Sequence, residues 1–182
     1  MKYLFLSGSL RKDSLNTKLL HMAAQHLNCS NSDIANSNDL SIPLYSGDIE
    51  TVGIPDSVQK LAKSIDQAQA LIIASPEYNY SISGVLKNVI DWVSRVRPMP
   101  LKQKPVLLMA ASPGPIAGIR GLWHTRVPLE GLGNYVFPDM FSLGGSFQAF
   151  DDNCFVNPDD QKRFAAILDG FGSFAKALTL RQ

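Results

Sequence analysis

Three apolar runs stand out along the chain because they do not alternate with polar positions: YLFLS at 3–7, ALIIAS at 70–75 and PVLLMAAS at 105–112. Uninterrupted runs of this length predict strands buried on both faces, as in a parallel sheet covered by helices. A fourth run, YVFPDMFSL at 135–143, carries Pro138. Proline cannot donate to a ladder, so an edge or bulged strand is predicted there. SDIANSNDL at 32–40 is the most polar strand candidate and suits an edge as well.

Between these runs the apolar period changes to that of a helix. Leu15, Leu19, Leu20, Ala23 and Leu27 form one stripe, Val58, Leu61, Ala62 and Ile65 a second, and Val85, Leu86, Val89, Ile90 and Val93 a third. The last helix opens with Asn157 as N-cap, Pro158 in its first turn, and Asp159 and Asp160 at the positive dipole end. Its stripe is Phe164, Ile167, Leu168, Phe171, Phe174 and Leu178. In the region 118–132, Pro128 is expected to break or kink any helix. Strand and helix thus alternate about five times, which predicts right-handed crossovers and an open, doubly wound α/β fold. Ligands of such folds bind beyond the carboxyl ends of the strands, where the winding switches.

Composition narrows the function classes. At 182 residues, with 45% apolar and 18% charged side chains, the chain is expected to be one soluble domain spanning 1–182. A formal charge of +1 gives no reason to expect nucleic acid or an anionic membrane as partner. Cys29 and Cys154 are too few for a disulfide framework or an iron–sulfur cluster, and fit a reducing, cytoplasmic setting. The apolar run at the start is too short for an export signal, and none spans a bilayer. His21, His26 and His124 are too scattered to suggest a metal site.

Three loops fall at one rim of the predicted sheet. The first, SGSLRKDSLNTK at 7–18, offers Ser9, Ser14, Asn16 and Thr17 as neutral donors and Arg11 as a planar fork, beside a helix N-terminus. That set matches a phosphate; the plainer alternative is that Ser14 only caps the helix and Arg11 is a solvated charge. The loop lacks the glycine patterns of dinucleotide and nucleoside-triphosphate sites, and the cysteine of a tyrosine phosphatase. The second loop, SPEYNYSISG at 75–84, is stiffened by Pro76. It presents Glu77, Tyr78, Asn79 and Tyr80, amides and flat faces that suit a planar heterocycle, or else packing and a subunit contact. The third, ASPGPIAGIRG at 111–121, has small residues that let backbone approach a ring. A phosphate grip and two ring-facing loops on one rim describe a phosphorylated flat ligand, FMN.

GSLRKDSLNTKLL and SPEYNYSISGVLKNVIDWVSR closely resemble the NADPH-dependent FMN reductases, a flavodoxin-like group that includes bacterial chromate and quinone reductases. The likeness runs from the first strand into the fourth and fades past residue 145. It implies a five-stranded parallel sheet of order 2-1-3-4-5, helices on both faces, non-covalent FMN, NAD(P)H as co-substrate, and a homodimer or homotetramer. It also implies that Ser9, Arg11, Ser14 and Asn16, with Thr17, bind the phosphate. Pro76, Glu77, Tyr78, Asn79 and Tyr80 then lie along the isoalloxazine, with Ser112 and Gly114 at its other edge. The acceptor expected is a quinone, free flavin, azo compound or chromate, reached by ping-pong exchange at one open face, with no catalytic side chain. Two positions depart from the family pattern. Ser83 stands where proline is usual and is expected to matter little; Ala117 replaces a glycine and is expected to narrow the space over the ring. Trp92, with Tyr78 and Tyr80, is a candidate subunit contact, the alternative being a second buried helix face. A flavodoxin-type electron carrier is the rival reading, disfavoured by the near-zero charge, and a flavin-dependent non-enzymatic sensor is another.

Overall fold

A computed structural model describes residues 1–30, 34–35, 39–151 and 154–180. Strands β1 (Tyr3–Ser7), β2 (Ile34–Ala35), β3 (Ala70–Ala74), β4 (Pro105–Ala111) and β5 (Tyr135–Val136) form a parallel sheet in the order β2-β1-β3-β4-β5. This is the expected flavodoxin-like winding. Only Ile34 and Ala35 of the 32–40 candidate are seen as strand, at the sheet edge, and 31–33 and 36–38 lie outside the described residues.

The continuous apolar runs conceal a period of two. Phe5, Ile72 and Leu107 enter a core with Leu19, Leu20, Phe164 and Phe171, beneath helices α1 (Leu15–His26) and α6 (Pro158–Thr179). Leu4, Leu6, Leu71, Ile73 and Leu108 enter the opposite core. There they meet Leu61 and Ile65 of α3 (Asp56–Gln67), Leu86 and Ile90 of α4 (Gly84–Val93), and Leu122 of α5 (Ile119–Gly131). A strand with two buried faces has no polar side to reveal. The helix over Gly47–Val52, α2, has no buried residue, so no apolar stripe announced it.

Pro138 divides the fifth strand rather than merely bulging it. After β5, a segment β6 (Phe141–Leu143) pairs with the upper part of β4, so that Val106 to Met109 is matched against Val136 to Phe141. A two-stranded antiparallel pair, β7 (Phe150–Asp151) and β8 (Cys154–Phe155), follows. Asn157 caps α6 by accepting from the Asp159 amide, as its position implied. Pro128, by contrast, lies inside α5, which continues to Gly131. It forgoes the bond to the His124 carbonyl only three residues before the helix ends, so one ladder position is lost rather than the helix.

Trp92 is fully buried, not a surface anchor. Its indole Nε1 donates to the Pro43 carbonyl at 2.7 Å, and its ring meets Tyr45 edge to face at 5.1 Å. One turn earlier, Asn88 Oδ1 accepts from the Tyr45 amide at 2.8 Å and Nδ2 donates to Pro43 at 2.9 Å. The asparagine and tryptophan of α4 thus pin the chain before α2 across the helix, which is the second buried face.

Candidate active site at the carboxyl rim of the sheet

The first and second loops touch at backbone distance. Gly8 donates its amide to the Ala74 carbonyl at 2.7 Å, and a Cβ placed on Gly8 would lie 2.2 Å from Ser75 Oγ. Only glycine fits there. Beyond this contact lies a cleft of about 250 Å³ lined from the first loop by Ser9, Arg11, Ser14 and Leu15, and from the second by Pro76, Glu77 and Tyr78. Ser112, Pro113 and Phe147 close the third side.

Within the first loop, Ser14 does cap α1, accepting the Thr17 amide at 3.4 Å. Capping uses an acceptor and leaves the hydroxyl proton free to be donated. Ser9 Oγ accepts the Arg11 amide at 3.2 Å, a local bond within the loop. The Arg11 side chain is exposed on the cleft wall. Two of the expected phosphate ligands are committed elsewhere. Asn16 lines the cleft but spends its side-chain amide on Ala111. The Thr17 hydroxyl pairs with Ser7 Oγ at 2.9 Å, and Thr17 does not line the cleft.

The second loop reverses in a tight turn, with Tyr78 and Ser81 exchanging backbone hydrogen bonds of 3.1 and 3.0 Å. Asn79 and Tyr80 occupy the turn at φ of 49° and 66°. Asparagine tolerates this left-handed region; a tyrosine there is strained, and such strain concentrates at functional sites. The turn leaves Tyr78 and Tyr80 exposed, the second with its ring under the Arg120 guanidinium at 4.3 Å. Of the five residues expected along a ring, Pro76, Glu77 and Tyr78 line the cleft, while Asn79 and Tyr80 do not.

Glu77 faces away from the solvent, with its side chain 9% exposed. Its carboxylate accepts from Arg120 Nε at 2.8 Å and from the backbone amides of Arg120 and Gly121 at 3.0 and 3.2 Å. It therefore caps α5, which begins after Gly118 at φ 78° with no cap of its own. Burial alone would raise this carboxyl; the Arg120 and Gly121 hydrogen bonds and the Arg120 charge outweigh it and hold the group below the usual range. The sequence singled out Glu77 but not its pairing with Arg120, which spans 43 residues.

On the third loop Ser112 lines the cleft and Gly114 does not. Ala117 takes φ 60°, the conformation its glycine alternative would adopt freely. Ala117 does not line the cleft, and a Cβ placed on Gly144 would lie 3.6 Å from its methyl. Phe147, 61% exposed beside the cleft, was missed, since an isolated aromatic in a glycine-rich stretch carries no periodic signal. His26 pairs with Asp169 at 2.8 Å, and His124 Nδ1 lies 2.9 Å from Ser81 Oγ. Among the described residues no group of acidic, histidine or cysteine side chains could hold a metal, and no helix is long and apolar enough to cross a membrane.

The chain is similar to known proteins over most of its length. The family model described as NADPH-dependent FMN reductase matches residues 1–148. The chain is 40% identical to a quinone reductase of Escherichia coli (strain K12) over 144 residues, 79% of this chain and 77% of the relative. It is also 40% identical to an NAD(P)H-dependent FMN reductase of Pseudomonas aeruginosa, over 71% of this chain and 69% of that one. Among solved structures it is similar to FerB, a flavoenzyme NAD(P)H:(acceptor) oxidoreductase from Paracoccus denitrificans. That match has a TM-score of 0.84 and 26% identity, covering 97% of this chain and 98% of FerB. An archaeal flavodoxin, at TM-score 0.59 and 9% identity over 97% of this chain and 99% of the flavodoxin, shares the fold alone.

Proposed function

From the premise that the chain belongs to the NADPH-dependent FMN reductase family, a group of oxidoreductases, we propose that it holds FMN non-covalently in the rim cleft and reduces a small acceptor with NAD(P)H. The observation that carries the reading is the junction of two unlike walls in one cleft. A hydroxyl- and arginine-bearing helix start faces a proline-stiffened, tyrosine-bearing loop.

The donor chemistry fits. Ser9, Ser14 and Arg11, with the leading amides of α1, hold the phosphate, since charge-assisted bonds at a helix N-terminus favour a dianion. The backbone of Pro76 through Tyr78 and the Ser112 side lie against the ring, where amide donors stabilise negative charge. Asn16, Thr17 and Glu77 support these walls rather than meeting the ligand. Bound FMN supplies the hydride and electron transfer, so no side chain need serve as acid, base or nucleophile. Quinones head the acceptor classes because several relatives carry that name; free flavin, azo compounds and chromate are the others. The setting is the cytoplasm, consistent with two cysteines that are not joined in a disulfide. Two copies associate through the exposed Tyr80 of the second loop and Trp123 and Val127 of α5.

The test is direct. Protein purified gently or supplied with FMN is expected to be yellow, to bleach anaerobically on NADPH alone, and to turn over quinone. Protein that stays colourless with excess FMN would end the proposal. Yellow protein that bleaches only with a partner reductase would make it a carrier.

A further inference from the structure

Three side chains tie the walls of the cleft to one another. Asn16 of α1 joins the first wall to the third, donating to the Ala111 carbonyl at 3.1 Å and accepting from its amide at 2.9 Å. Glu77 joins the second wall to α5 through Arg120 and Gly121. Ser83 joins the second wall to the first. Its Oγ donates to the Gly8 carbonyl at 2.7 Å, accepts from Ser75 Oγ at 3.2 Å, and accepts from the Leu86 amide at 3.3 Å. A hydroxyl has one donor and two acceptor positions, and here all three are used in a fully buried setting.

We propose that Ser83 is a positioning residue that sets the phosphate-holding loop against the ring-facing loop, so that both halves of one mononucleotide are met at once. This rests on the FMN reading above. Ser83 touches no part of the cleft lining; it acts on Gly8, next to Ser9, and on Ser75, next to Pro76. A shift of one loop would leave each half-site intact but out of register, and misplaced groups forfeit the advantage of simultaneous binding. The backbone does not itself demand serine. Ser83 has φ −65° and ψ 142°, which proline adopts without strain. What proline lacks is the hydroxyl that spans the two loops, so the expectation that this departure matters little is replaced by a specific role.

The test compares FMN with riboflavin, which carries the ring without the phosphate. Flavin-free wild type, Ser83→Ala and Ser83→Pro are titrated with each by fluorescence quenching, with thermal unfolding recorded without flavin. The wild type is expected to prefer FMN, and that preference is expected to fall roughly tenfold in both variants, the worth of one buried hydrogen bond. Riboflavin affinity is expected to change less than about threefold, since the ring wall remains. An unchanged preference, or equal weakening toward both ligands, overturns the proposal by reducing Ser83 to a helix cap. Should the alanine variant fold poorly, the proline variant, whose backbone is already suited, decides the matter. A wild type that binds neither flavin refutes the FMN reading itself, a result distinct from loss of preference in the variants alone.

Discussion

The carboxylate of Glu77 lies 2.6 Å from the guanidinium of Arg120, and the same carboxylate caps the helix in whose first turn Arg120 stands. One residue thus closes the wall between the second loop and α5. Its folded-state carboxyl is depressed by Arg120 and the Gly121 amide in spite of burial. A depressed carboxyl contributes stability above its unfolded value, near about 4.3, and loses it as pH falls through the folded value. Glu77→Gln is therefore expected to cost about 1–3 kcal/mol at pH 7 and much less in acid. Thermal unfolding at about pH 7 and at about pH 3 checks this; an equal loss at both would show that the charge is irrelevant.

Arg11 offers an exposed cation to the cleft and carries no part of either core. Arg11→Ala is expected to weaken FMN binding by roughly tenfold or more, as for loss of a charge-assisted bond, with unfolding of the flavin-free protein unchanged. Stoichiometric flavin retained through extensive dialysis of the variant would contradict this.

Trp92 is a tether for the chain at Pro43 and Tyr45. Trp92→Phe keeps an aromatic ring but loses the indole donor, and is expected to cost about 1 kcal/mol, or about 2–4 °C in a domain of this size. The sedimentation coefficient should not move. A changed oligomer with unaltered stability would restore Trp92 to a subunit contact.

If donor and acceptor use the same open side of the cleft in turn, one must leave before the other enters. Steady-state plots for varied NADPH at several fixed quinone concentrations are then expected to be parallel. Intersecting lines would mean that both bind together.

The site was legible in proportion to how local its chemistry is. Ser9, Arg11 and Ser14 sit within one loop and its helix start, so their grouping showed in a dozen letters. Asn16 and Thr17 shared that stretch, yet their side chains turn to Ala111 and Ser7. Nothing in a linear pattern distinguishes a donor aimed at a ligand from one aimed at a neighbouring strand. The bond from Ser83 to Gly8 was hidden for the same reason, because the two residues are 75 positions apart.

What the sequence determined alone was the winding of the fold and the rim at which to look. Apolar runs of strand length, helical stripes and the α6 cap are local patterns that any compatible tertiary structure must satisfy. What the tertiary structure decided was which polar groups face one another. Ser83 meeting Gly8, Glu77 meeting Arg120 and Trp92 meeting Pro43 each depend on distant segments packed within ångströms. Buried polar groups must find partners, and only the completed packing supplies them.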